Sequence, residues 1–262
     1  MSLHNKVIWI TGASSGIGEA LAHALVAKNS RLIISARNEA ALQAIKTNYP
    51  SALIEVLPFD LLDFDTTPAI VAKAISFYGK VDVLVNNGGI SQRSLIAETD
   101  FAVDKKIMDV DYFGTIALTK ALLPHFIQNQ SGHYVTVTSL MGKFGSPYRS
   151  GYCAAKHALH GYFDVMRMEH EKDGVAVTLV CPGFVQTNVA INALTADGSP
   201  QIKNSETTAN GMLLADFIPK MVRAMEQKKF EVYIGKKEVL GIYLKRFLPK
   251  YLHKVVLKSK VN

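Results

Sequence analysis

The 262 residues are 48% hydrophobic and 19% charged, a globular balance that excludes disorder, collagen and coiled coil. No apolar run reaches the roughly 18 residues of a membrane-spanning helix, and with two cysteines, Cys153 and Cys181, neither a disulfide framework nor a cysteine-based zinc site is expected. The net charge of +7 is uneven, for Lys220–Asn262 carries twelve Lys and Arg against three acids and the rest seventeen against nineteen, so the basicity belongs to the tail and nucleic acid is not an expected partner.

The start, MSLHNKVIWI, lacks the charged, apolar and small-residue regions of a signal peptide, so a cytoplasmic location is expected. Lys6–Thr11 is the first predicted strand, and Gly16–Lys28 a helix. Arg31–Ser35 is the second strand and Asn38–Tyr49 the next helix, with Asn38 as its cap. Ala52–Leu57 (strand) and Thr66–Tyr78 (helix, Pro68 in its first turn) follow. Val81–Asn86 leads into Val103–Gln128, a helix that Pro124 should kink or shorten. His133–Ser139, the helix Ser150–Lys172 and Val175–Cys181 come next. Pro182–Asn210 reads as a long loop or a set of short helices, and Phe230–Ile234 as a last strand. Alternation of this kind predicts an α/β fold, a doubly wound parallel sheet with helices on both faces. A single domain over 1–262 is expected, with a basic C-terminal extension at about 236–262. Ligands on such sheets bind beyond the carboxyl ends of the strands.

After the first strand stands Thr11-Gly12-Ala13-Ser14-Ser15-Gly16-Ile17-Gly18. Its glycines allow a tight turn and a close approach to phosphate, at the positive end of the following helix. The spacing fits the usual dinucleotide fingerprint only loosely. Gly12 to Gly16 also matches the Gly-x-Ser-x-Gly elbow of hydrolases, which normally follows a later strand and needs an acid and then a histidine downstream. Gly18-Glu19 excludes an NTPase phosphate loop. The second strand ends in Ser35-Ala36-Arg37. It lacks the acid that holds an NAD ribose and offers a guanidinium where a 2′-phosphate would lie, so NADP(H) is expected over NAD(H).

Ser139, Tyr152 and Lys156 supply a chemistry. Tyr152 and Lys156, four apart, share one helical face. An ammonium beside a phenol favours the phenolate, which suits a general acid/base. Ser139 offers a hydroxyl to a carbonyl oxygen that gains charge. Each residue alone has a structural explanation; the combination with the glycine turn is what points to carbonyl reduction.

With these residues in place, the chain resembles the short-chain dehydrogenase/reductase family, in its NADP(H)-preferring type. The likeness rests on Thr11-Gly12-x-x-x-Gly16-x-Gly18, Asp60, Asn86-Asn87-Gly88-Gly89, Ser139, Tyr152-x-x-x-Lys156 and Pro182-Gly183, and reaches to about Ile234. It implies a Rossmann-like sheet of seven strands and a tetrad of Asn, Ser, Tyr and Lys. It also implies Asp60 and Leu61 against adenine, Asn87 near a ribose, Lys156 on the nicotinamide ribose, and Val185 and Thr187 on the carboxamide. Homodimers or homotetramers through the two long helices belong to the same resemblance. Two positions depart from the pattern: Gly88 replaces the family's Ala, adding backbone freedom, and Asp111 replaces the tetrad Asn, which helps seat a water on the lysine. With Asp111 in that place, activity with a shifted pH optimum is expected; a dinucleotide-binding regulatory or scaffold protein without activity is the alternative.

Leu140, Met141, Phe144 and Tyr148, with Phe184–Leu194, should border the substrate, so a hydrophobic ketone, aldehyde or alcohol is expected. Asn192–Asn210 reads as a mobile lid. His157 and His160 are assigned to surface or packing, Trp9 to the core, and no metal is expected. The tail Tyr243–Lys258 mixes bulky apolar residues with Lys and Arg. That suits peripheral contact with anionic lipid, or packing on the domain or a second subunit.

Overall fold

The computed structural model describes residues 1–202 and 209–259. Its first strand, β1 (Val7–Thr11), is buried along its whole length. Alternate side chains point to opposite faces of a strand, so Ile8 and Ile10 join one apolar cluster while Val7 and Trp9 join another. Trp9 is core, as expected, and its indole N–H donates to Ser35 Oγ at 2.8 Å. A strand buried on both faces needs helices on both, and the next elements supply them.

These are α1 (Gly16–Val26), β2 (Arg31–Ser35), α2 (Glu39–Asn48), β3 (Ile54–Val56), α3 (Thr67–Tyr78) and β4 (Val83–Asn86). Asn38 caps α2 by accepting the Ala41 N–H at 3.1 Å, and Pro68 sits in the first turn of α3. Then come α4 (Phe101–Ile107), a wide π-helical turn (Met108–Gly114), α5 (Thr115–Gln128), β5 (Gly132–Val137), α6 (Ser150–Glu169), β6 (Val175–Pro182), α7 (Leu214–Glu226) and β7 (Glu231–Ile234). All strand pairs are parallel, in the order β3-β2-β1-β4-β5-β6-β7. One face packs Leu21, Leu25, Leu42, Phe217 and Met221. The other packs Val71, Leu122, Phe126, Leu159 and Phe163. The expected doubly wound, seven-stranded fold is what forms. The strand order reverses between β1 and β4, which opens a crevice at their carboxyl ends.

Two local expectations are corrected. The fourth helix is neither kinked off nor shortened at Pro124: α5 runs through it to Gln128. The break lies earlier, at the π turn. The fifth strand stops at Val137, two residues before Ser139, which instead caps a single 3₁₀ turn, Leu140–Gly142. The basic segment after β7 packs on the domain, one of the readings its composition allowed. It folds into α8 (Leu240–Phe247) and α9 (Pro249–Lys258). Leu252 is buried in a cluster with Leu140, Met141, Phe144 and Cys153. Those apolar residues therefore pack beneath the tail. Of the expected lid, residues 203–208 lie outside the described part.

Candidate active site

A cleft of about 770 Å³ opens at the β1–β4 crevice. At one end it is lined by Gly12, Ser14, Ser15, Gly16 and Ile17, with Arg37, Asp60 and Leu61 beside them. Asn87 and Gly88 lie in the middle. Ser139, Tyr152, Lys156, Pro182, Val185 and Thr187 also line it, Thr187 lying against Gly16 of the glycine turn. Of the residues expected to meet a cofactor, Gly18 alone falls outside this lining. Among the described residues no histidine lines the cleft, so the hydrolase elbow reading of Ser14 lacks its base.

The glycine turn is built from backbone constraints. Gly12 and Gly16 have φ of +65° and +59°, which side chains adopt only with strain. A Cβ on Gly12 would lie 2.7 Å from Gly88 Cα, and one on Gly18 would overlap the Gly12 carbonyl. Asn87 ties the turn down from the next loop. Its Nδ2 donates to the Thr11 and Gly12 carbonyls at 3.0 and 3.2 Å. Thr11 Oγ1 accepts the Asn87 and Gly88 N–H groups, each at 3.0 Å. No side chain caps α1 at Ser15. The free N–H groups of its first turn and the positive end of its dipole are thus open to a diphosphate. These residues fit a dinucleotide.

The Gly88 departure has a spatial reason. An alanine Cβ there would come 2.9 Å from the Leu61 Cδ1 methyl, so glycine leaves room for Leu61 and adds no left-handed backbone. At the edge, Arg37 is 69% exposed in its side chain, with Nη1 at 3.7 Å from Asp60 Oδ2.

The side chains expected to react sit on three elements. Ser139 Oγ accepts the Met141 N–H at 3.1 Å and donates to the Pro182 carbonyl at a long 3.5 Å. Lys156 Nζ lies 5.6 Å from the centroid of the Tyr152 ring and bonds the Val137 carbonyl at 3.4 Å. Asp111 does not line the cleft. It is fully buried behind Lys156, with Oδ2 3.2 Å from Nζ and Oδ1 accepting the Ile90 N–H at 2.7 Å. The carboxylate thus meets the lysine directly, where the family resemblance implied a seated water. Burial pushes the Asp111 carboxyl up, and the Lys156 charge only partly offsets it. Burial pulls Lys156 down, but Asp111 and Tyr152 together outweigh it and leave the ammonium above the ordinary lysine value. Asp111 thus touches Lys156 and not the cleft. The π turn delivers it, with its carbonyl accepting from Thr115 Oγ1 at 2.9 Å.

Sequence reasoning missed three residues here. Gln92 is fully buried, and its Oε1 accepts the Gly151 N–H at 2.8 Å while its Nε2 reaches Ser150 Oγ at 3.3 Å. It braces the end of α6 that carries Tyr152. Arg93 and Arg149 are drawn in beside it; their positions after β4 and three residues before Tyr152 were the available signal. His160, Cys181 and Glu231 also converge, their side-chain ligand atoms within 4.8 Å of one another. Lys143 Nζ, 2.8 Å from Glu231 Oε1, supplies the cation there.

Residues 6–197 match the family described as short chain dehydrogenase. The chain is 37% identical over 267 residues to the Drosophila melanogaster dehydrogenase/reductase SDR family protein 7-like, covering 99% of this chain and 82% of that one. It is 38% identical over 257 residues to human dehydrogenase/reductase SDR family member 7, covering 95% and 76%. Among solved structures, a short-chain dehydrogenase from Streptomyces avermitilis superposes with a TM-score of 0.83 at 28% identity, covering 99% of this chain and 100% of that one. A Burkholderia phymatum short chain dehydrogenase/reductase in complex with NAD gives 0.84 at 20% identity, covering 96% of each.

Proposed function

This chain belongs to the short-chain dehydrogenase/reductase family of oxidoreductases, and from that premise we propose that it reduces a hydrophobic ketone or aldehyde, or oxidises the alcohol, with NADP(H). The observation that carries the reading is the convergence of Ser139, Tyr152 and Lys156 on the cleft that the glycine turn opens. A bound nicotinamide would supply or accept the hydride. The N–H groups at Ser14–Gly18 hold the diphosphate, and Arg37 takes the 2′-phosphate that the end of β2 offers no acid to repel. Val185 and Thr187 close on the nicotinamide side. Ser139 Oγ–H holds the carbonyl oxygen as charge develops on it. Tyr152 gives that oxygen its proton. Lys156, kept charged by Asp111, stabilises the phenolate left behind.

NADPH oxidation with a panel of apolar ketones and aldehydes tests this. Tyr152→Phe should lose about 10²–10⁴-fold in kcat/KM, the usual worth of a positioned acid/base. Tight NADPH binding with no turnover on any carbonyl would favour the regulatory alternative. That alternative rested on Asp111, which the buried contact with Lys156 makes part of the same machinery.

The same reading covers assembly and place. Phe113, Val165 and Met168 are exposed on the helices expected to form a dimer or tetramer. The protein is cytoplasmic, with its tail against anionic lipid: Leu240, Tyr243, Phe247 and Tyr251 are exposed among Lys245, Arg246, Lys250 and Lys254. No described helix is long and apolar enough to cross a membrane. Co-sedimentation with phosphatidylserine vesicles should fall on Phe247→Glu; equal pelleting of both forms would remove the lipid assignment.

A further inference from the structure

Two cations lie beside Tyr152 with no carboxylate to answer them. Arg149 immediately precedes α6 and is 6% exposed. Arg93 is half-buried in the loop after β4, whose Ser91 lines the cleft. Each guanidinium is within electrostatic reach of Tyr152 and Cys153, and Arg93 also of Arg149. Among the described residues the arginines with carboxylate partners are Arg37 and Arg167. Arg93 Nη1 donates only to neutral oxygens, Ser91 Oγ at 3.1 Å and the Gln92 carbonyl at 2.7 Å. Arg93 Nε and Arg149 Nε and Nη2 are buried with no hydrogen-bond partner among the described residues. The Arg149 guanidinium carbon lies 5.5 Å from the centroid of the Phe184 ring, on the segment that follows the cleft-lining Gly183.

Buried charges are normally paired, and leaving one unanswered is costly. Here two like charges share a site, and burial drags Arg93 down to about 10 and Arg149 below its ordinary value as well. The positive end of α6 adds to the same field. What the cluster lacks is a negative charge, and the unused N–H donors of two planar forks suit a carboxylate or a phosphate.

Neither arginine is among the residues lining the cleft, but Ser91, Tyr152 and Gly183 beside them are, and we propose that Arg93 and Arg149 form an anion subsite at the edge of the substrate pocket, so that the preferred carbonyl compound is an apolar chain bearing a carboxylate or phosphate group. The proposal rests on the reductase reading and narrows its substrate class. Calorimetric titration of the NADPH-saturated protein with octanol, octanoate and octyl phosphate tests it without turnover. At least one of the two anions should bind tenfold or more tightly than octanol, and which one does so identifies the group. Arg149→Gln should lose that tenfold while leaving octanol within twofold, and Arg149→Lys should keep part of it. Without ligand, Arg149→Gln should melt above wild type, because an unanswered charge has gone. Anions that bind no better than octanol would overturn the subsite, as would a lower Tm in Arg149→Gln with unchanged anion affinity. Neutral ketones turned over with no anion preference would sink the subsite alone; anion binding without any NADPH oxidation would sink the reductase reading alone.

Discussion

Around Tyr152 the protein buries cations in two places and treats them differently. Lys156 is answered at 3.2 Å by a buried carboxylate whose other oxygen accepts the Ile90 N–H. Arg93 and Arg149 are answered by nothing the described chain supplies. A charge paired within the chain is fixed equipment, present whether or not substrate arrives. A charge left unpaired is stability withheld until a ligand completes it, which is how functional sites differ from the core around them. The two sets also differ in what delivers them. Lys156 rides a long helix and meets Asp111 from a wide turn, whereas the arginines flank α6 from its cap and a loop.

Breaking the answered pair should give the largest effect. Lys156→Met leaves Asp111 buried alone and should cost about 3–5 kcal/mol of stability; chemical denaturation measures this, and a loss under 1 kcal/mol would mean that the pair is not buried as described. Arg37→Asp comes next. Losing one charge-assisted contact of about 1.5–3 kcal/mol should raise the KM for NADPH about 10–100-fold, while the KM for NADH stays level or falls; unchanged cofactor preference would refute the role of Arg37.

Asp111→Asn sharpens the comparison more gently. Lys156 is raised because Asp111 and Tyr152 outweigh its burial. A group raised in the folded state contributes stability that is whole below its unfolded value and is lost as pH rises through the folded one. With the carboxylate gone, burial wins and the ammonium is lost earlier. The alkaline limb of both Tm and kcat/KM should move to lower pH, and superimposable profiles would show that Asp111 does nothing for Lys156. The smallest effect concerns neutral buried groups. His133, bonded to Thr178 Oγ1 at 2.8 Å, is held down to about 3 by burial, ahead of smaller repulsions. Its folded value lies below its unfolded one, so stability is complete above about 6.5 and declines as pH falls towards 3. His133→Gln should flatten Tm between pH 6.5 and 4; an unaltered slope would place the acid sensitivity elsewhere.

The sheet and the cofactor end were legible because their signals are local. β2 runs from Arg31 to Ser35 as read, and the glycine turn needs nothing beyond its own residues and Asn87 to form. The substrate side was read less well, for physical reasons. Leu140, Met141 and Phe144 are apolar wherever they go, and only the fold shows that the tail takes them. Asp111 stood out as a departure, but its direct contact with Lys156 depends on a π turn that a 3.6-residue period hides. An arginine in a sequence suggests a surface, and only the positions of Arg93 after β4 and of Arg149 three residues before Tyr152 hinted that both turn inward.

That π turn also bears on how this chain tolerates change in length. It sits between two stretches that each bury a face, Val103 and Ile107 before it, Leu118, Leu122 and Phe126 after it. Dropping one residue from Met108–Gly114 would turn one stretch against the other by about 100°. Either the packed face of α5 or that of α4 would then swing towards water. A substitution at Asp111 alters one ion pair; a deletion beside it would dismantle a layer of the protein.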